Sequence, residues 1–237
     1  MENKVIEQVL NQSYKKWVEE KMKPIYKQVD VEFSKPFFAG VPSTFKNSRK
    51  TILIYGQEAN NFFRYEDDWS IQGIQEWCRE YSDIQLNAEY HPRKNSSPFW
   101  KFIRLLASNE VNVIWSNLDK VHLYKDGKTA SLDVEKELWL NGAINDDNKT
   151  IVDLEIEAIK PNVVVFAVGP SYYKSLSKAL NKDSCILNKY RPSKGKSLVD
   201  ISEVIDKKTS VFWTYHPKYQ SYIKTLDNNV TCIKDAL

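Results

Sequence analysis

Hydrophobic and polar positions along this chain follow two periods, and the switch between them marks out its elements. Thr51 to Ile54 are β-branched or large and apolar, which suits a strand buried on both faces; Tyr55 and Gly56 end the run, and polar or small residues follow. Similar runs occur at residues 111–117 and 210–215, and the clearest buried strand of all is residues 162–168. Helical spacing separates them. Residues 2–29 carry a stripe of Val5, Val9, Tyr14, Trp17, Val18, Met22, Ile25 and Tyr26, with Pro24 set to end or kink it. Further helices are predicted over residues 70–81, 99–107, 151–159 and 171–180, and from Tyr219 onward. Ser97 and Pro98 form a start signal for the second of these, as N-cap and first helical residue. Shorter strands are expected at residues 184–187 and 198–201, and the pattern between Lys120 and Ala143 is irregular, with a turn at Asp126-Gly127.

Strands alternating with helices predict a three-layer α/β/α fold around a mainly parallel sheet. A length of 237 residues fits one large domain with an appended segment. The division expected is an amino-terminal helical segment, 1–47, packed on an α/β domain, 48–237. Trp69, Trp77 and Trp100 have helical settings that predict core positions, whereas His91 and His122 are expected at the surface.

Composition narrows the function classes. Aromatic residues make up 13% of the chain, with 7 Trp and 13 Tyr, more than packing alone asks for; such rings also stack on bases and sugars. The net charge of +3 neither requires nor excludes nucleic acid, because a basic groove can hide in a balanced total. The three cysteines, Cys78, Cys185 and Cys232, are far apart and form no CxxC pair, which argues against a disulfide framework and a zinc site. No apolar run reaches membrane-spanning length and the start of the chain has no signal-like core, so a cytoplasmic protein is expected. Loops of the GxGxxG and GxxxxGK[ST] types are absent, as is a GxSxG elbow, which leaves dinucleotide, ATP-type and serine-hydrolase chemistry without a motif.

Three predicted strands finish in polar groups: Gln57-Glu58, Asn117 and His216. In an open α/β sheet such side chains converge beyond the carboxyl ends of the strands. An acid, an amide and an imidazole in one cleft suffice to recognise a base and hydrolyse its glycosidic bond. In order and spacing, Gly56-Gln57-Glu58-Ala59-Asn60, Asn117 in Trp-Ser-Asn-Leu, and His216-Pro217 resemble the motifs of the uracil-DNA glycosylase superfamily, over roughly residues 48–228.

The resemblance implies a hydrolase that excises a deaminated or damaged base from DNA without metal or other cofactor, acting as a monomer. Glu58 would orient or activate the attacking water, Asn117 would read the flipped base, and His216 would stabilise charge on the departing base. Gly56, Gln57 and Asn60 would shape the pocket, Phe62 or Phe63 would stack on the base, and Pro217, Lys218 and Tyr219 would meet the strand. The chain departs from the family in carrying Glu58 for the commoner Asp, Ala59-Asn60 for Pro-Tyr, and Lys218-Tyr219 after the His-Pro pair. Loss of the bulky ring at position 60 predicts relaxed exclusion of a 5-methyl group. The alternative expectation is a catalytically inactive relative that keeps the pocket to bind nucleic acid or a nucleotide. A metabolite enzyme of another α/β class ranks behind both.

Overall fold

The protein is described from a computed structural model covering residues 2–27, 32–58, 69–87, 97–125, 128–130, 133–144, 148–205 and 209–237. Helix α1 (Glu2–Trp17) runs through a π-helical turn (Val18–Met22) into α2 (Lys23–Tyr26). Pro24 accounts for the widened turn: it has no N–H to offer the carbonyl four residues back, and Lys23 N–H bonds instead to the Val18 carbonyl. Leu10, Tyr14 and Trp17 are buried, while Val5 and Val9 of the predicted stripe stay exposed.

Strands β1 (Glu32–Phe33) and β2 (Lys50–Glu58) follow, then α3 (Ile71–Leu86) and α4 (Pro98–Leu106). Both helices start at a serine whose hydroxyl accepts a backbone N–H of the first turn, Ser70 from Gly73 and Ser97 from Trp100. After β3 (Val111–Asp119), the stretch with no clear period folds as β4 (Leu123–Lys125), β5 (Lys128–Ala130) and α5 (Val134–Asn141). Three-residue strands are too short to show alternation, and β4 and β5 pair antiparallel on either side of the predicted turn.

A Thr150–Asp153 capping box opens α6 (Ile151–Ile159), and β6 (Val163–Phe166) leads through a short 3-10 turn (Pro170–Tyr172) to α7 (Tyr173–Ala179). Residues 184–187 are not a strand. They form α8 (Ser184–Asn188), because the Asp183 carboxylate accepts the Cys185 N–H and caps a helical turn that buries only Leu187. Then come β7 (Leu198–Asp200), α9 (Ser202–Ile205), β8 (Ser210–Thr214), α10 (Pro217–Tyr222) and α11 (Leu226–Asp235). Helix α11 buries Leu226, Val230 and Ile233, a stripe at helical spacing.

The main sheet has five strands in the order β3-β2-β6-β8-β7, all neighbours parallel except the β7–β8 pair. Helix α4 packs with α3, α10 and α11; α6 packs with α1 and α7, and α5 with α7, a grouping consistent with a three-layer α/β/α arrangement. From β2 the chain first steps outward to β3, then returns across β2 to β6. The strand order therefore reverses between β2 and β6, where open α/β sheets form a crevice at their carboxyl edge.

Trp100 is buried, and Trp69 and Trp77 pack half-buried against the core, as their helical settings predict. His122 is buried rather than exposed, since the chain between β3 and β4 turns under the segment near Ser34, whose hydroxyl accepts the His122 N–H. Burial lowers its imidazole pKa to about 4. His91 lies outside the described residues.

One face of the sheet conceals a charge pair. Lys120 Nζ donates to both carboxylate oxygens of Glu155 at 2.8 Å and to Ser116 Oγ at 2.6 Å. Tyr14 O–H donates to Glu155 and accepts from Ala39 N–H, so α1 joins the same network. All these side chains are fully buried. Burial and the adjacent carboxylate hold the Tyr14 hydroxyl well above its usual pKa, and burial pulls the Lys120 ammonium down against the opposing pull of Glu155.

Candidate functional site

The carboxyl edge of β3 sets the first functional group. Trp115 and Asn117 are two residues apart and so share a face of the strand. Trp115 Nε1–H donates to Asn117 Oδ1 at 3.2 Å, which fixes the orientation of the amide. Asn117 is 1% exposed, and its Nδ2 has no hydrogen-bond partner among the described residues. A buried amide donor without an acceptor costs about 1–3 kcal/mol, which singles out Asn117 among the polar groups at this edge.

Gly56 sits directly opposite Asn117 in the β2–β3 register. A Cβ at this glycine would lie 2.6 Å from Asn117 Oδ1, 3.2 Å from Trp115 Nε1 and 3.3 Å from the Phe99 ring. Asn117, Trp115 and Phe99 therefore close directly over the Gly56 backbone, leaving less room than a methyl group needs. Gln57 faces the other side of the crevice, where its Nε2 donates to the Val168 carbonyl at 2.8 Å and ties the ends of β2 and β6 together.

Beyond β6, Gly169 adopts φ +80°, a backbone conformation that disfavours any side chain. Its N–H donates to the Thr214 carbonyl and its carbonyl accepts Trp213 Nε1–H, which locks the β6 exit against β8. A Cβ there would lie 3.9 Å from the His216 backbone nitrogen, so the two strand exits pass side by side.

His216 caps α10, with Pro217 as the first helical residue. Its Nδ1 accepts the Lys218 N–H at 3.2 Å, which in the neutral ring places the proton on Nε2. Burial, and then the Lys218 charge, lower its pKa, so the neutral form prevails near pH 7. The ring lies nearly parallel to Phe99, with centroids 5.7 Å apart at 14°. Phe99 also meets Trp115 edge-on at 5.4 Å. Phe99 therefore bridges Trp115 on β3, the partner of Asn117, to His216 after β8, although those strands are not neighbours.

The residues singled out in the sequence fare differently. Gly56, Gln57, Asn117 and His216 stand at one edge of the sheet, Pro217 is buried behind His216, and Lys218 and Tyr219 are exposed on α10. Glu58 ends β2 with its backbone in register with Asp119, and its side chain is outside the described set. Asn60, Phe62 and Phe63 lie outside the described residues. Phe99 is the residue that the motifs missed. Its signal was the Ser97-Pro98 start: the first turn of a crossover helix begins at the same edge where the preceding strand ends.

Among the described residues no helix is long and apolar enough to cross a membrane. No protein-family model matches the chain, and no curated protein is found to be similar to it.

Proposed function

We propose that this protein is a DNA glycosylase-like hydrolase that cleaves the N-glycosidic bond of a deaminated or damaged base. The observation that carries the reading is the oriented Nδ2 of Asn117, without a hydrogen-bond partner among the described residues, at the same strand edge as Gly56 and the Phe99 and His216 rings. A flat heterocycle bearing a carbonyl acceptor suits these groups, because it would meet an amide donor at its edge and aromatic surface at its face.

Hydrolysis then divides among three groups. Water, held and deprotonated by the Glu58 carboxylate, forms the new C1′–O bond as the C1′–N bond breaks, and the bonding electron pair leaves on the base. His216 donates its Nε2–H to the base oxygen where negative charge develops. A neutral imidazole suits this role, since a preorganised donor stabilises the developing charge without first surrendering a proton. The resemblance to the uracil-DNA glycosylase superfamily adds the same assignment for Glu58, Asn117 and His216.

The test is release of base from a labelled oligonucleotide carrying one uracil, as single strand and duplex, followed by alkaline cleavage at abasic sites. A panel of other damaged bases extends it. Release by the wild type that is lost in Glu58→Gln and His216→Ala supports the reading. Absence of release on every substrate, with base-containing ligands still bound, would make the pocket a receptor and sink the hydrolase.

A further inference from the structure

Next to His216 in the chain, the exit of β8 and helix α10 carry an aromatic row that the bond-breaking step itself does not use. Tyr215, Tyr219 and Tyr222 follow one another at helical spacing, with ring centroids 4.5 Å and then 6.1 Å apart and planes inclined by 43° and 34°. Tyr219 is 39% exposed and Tyr222 is 81% exposed. Rings this open contribute little to the fold, and a contiguous exposed aromatic surface marks an interaction site.

The two segments that carry and adjoin the row are basic. No acidic residue occurs from Ser184 to Val199 or from Ser210 to Leu226, whereas Lys189, Arg191, Lys194, Lys196, Lys218 and Lys224 fall in these segments, and all six are exposed. Arg191 draws the basic loop towards the row: its guanidinium lies 4.7 Å from the Tyr173 ring centroid, and its charge acts on the Tyr215 hydroxyl. The row starts one residue before His216.

We propose that Tyr215, Tyr219 and Tyr222 form a stacking platform for single-stranded DNA, with the basic loop from Lys189 to Lys196 taking the phosphates. The inference rests on the reading of the pocket as a site for a DNA base. Within a duplex the bases cover one another's faces at a repeat of about 3.4 Å along each strand, leaving no face for a ring outside the stack. Rings spaced 4.5 Å and 6.1 Å apart and tilted against each other fit bases that have come apart. Stacking of this kind tolerates sequence, and the lysines make it sensitive to salt.

Fluorescence anisotropy with labelled oligothymidylate, a duplex of equal length and an oligouridylate RNA tests the platform. Single-stranded DNA should bind tightest. Tyr222→Ala should weaken it by about fivefold to 150-fold, and Tyr222→Phe should retain binding. Lys194→Gln with Lys196→Gln should flatten the dependence of log K on log salt. Thermal unfolding of each variant confirms the fold. Wild-type affinity in Tyr222→Ala, or tighter binding of duplex or RNA, would overturn the proposal. Base release by the wild type is measured on the same strands with one uracil. Release without Tyr222 dependence of binding sinks the platform alone. Tyr222-dependent binding without release keeps the platform and sinks the hydrolase.

Discussion

Gly56 and Asn117 face each other across the parallel pair of β2 and β3, and a methyl group at position 56 would stand 2.6 Å from Asn117 Oδ1. The amide is held by Trp115 and cannot yield without losing that hydrogen bond. Gly56→Ala should therefore push the amide away from Trp115, lowering base release by on the order of 100-fold, as misplacement of about 1 Å does. Overpacking of this kind costs roughly 1–3 kcal/mol, so the variant should stay folded. Steady-state kinetics beside urea unfolding checks both halves. Wild-type kinetics in this variant would remove Asn117 from the site.

His216 is expected to work as a neutral donor. Burial, and then the Lys218 charge, lower its pKa, so the ring is uncharged at neutral pH and above, and base release should remain level from about pH 7 to about pH 8. A tenfold loss per pH unit across that range would mean that the imidazolium is required. His216→Ala should reduce kcat by about 100- to 1,000-fold, the usual loss for one donor to a developing anion.

The Lys120–Glu155 pair should be strongly non-additive. Lys120→Met leaves the Glu155 carboxylate buried with neutral hydroxyls such as those of Ser116 and Tyr14 to pair it, and such a break costs about 3–5 kcal/mol. Glu155→Leu strands the Lys120 ammonium in the same way. The double variant removes both charges and should be more stable than either single one. A double-mutant cycle by urea unfolding measures the coupling, and simple addition of the two losses would contradict it.

His122 should make stability pH-dependent. The unfolded chain takes up a proton near pH 6.5, whereas the folded imidazole resists until about pH 4. Between these values the unfolded state binds more protons, so stability falls as pH drops from about 6.5 towards 4, and the effect is absent above about pH 7. Comparing unfolding midpoints at about pH 7.5 and 5, His122→Gln should lose less stability than the wild type. Equal losses would show that His122 titrates normally in the fold.

Local chemistry was legible in the chain itself. Buried runs such as residues 163–166 read as parallel strands because nothing polar interrupts them, and Ser97-Pro98 announced α4 because a capping hydroxyl followed by proline has few other uses. Gly56, Asn117 and His216 were visible as polar ends of apolar runs. What failed were elements whose signal is weak or shared: the short helix at residues 184–188 reads as a strand until Asp183 caps it, and β4 and β5 are too short to alternate. His122 was misjudged because burial depends on which segment folds over it.

Only the tertiary structure decided how those ends meet. Strand order β3-β2-β6-β8 separates Asn117 from His216 by two strands, and the gap is closed by Phe99 from α4, which no periodicity links to either. The neutral tautomer of His216 likewise depends on the Lys218 N–H at its Nδ1 and on burial, both products of packing. A sequence specifies residue types and periods; distances between side chains more than a hundred positions apart exist only once the sheet order is set.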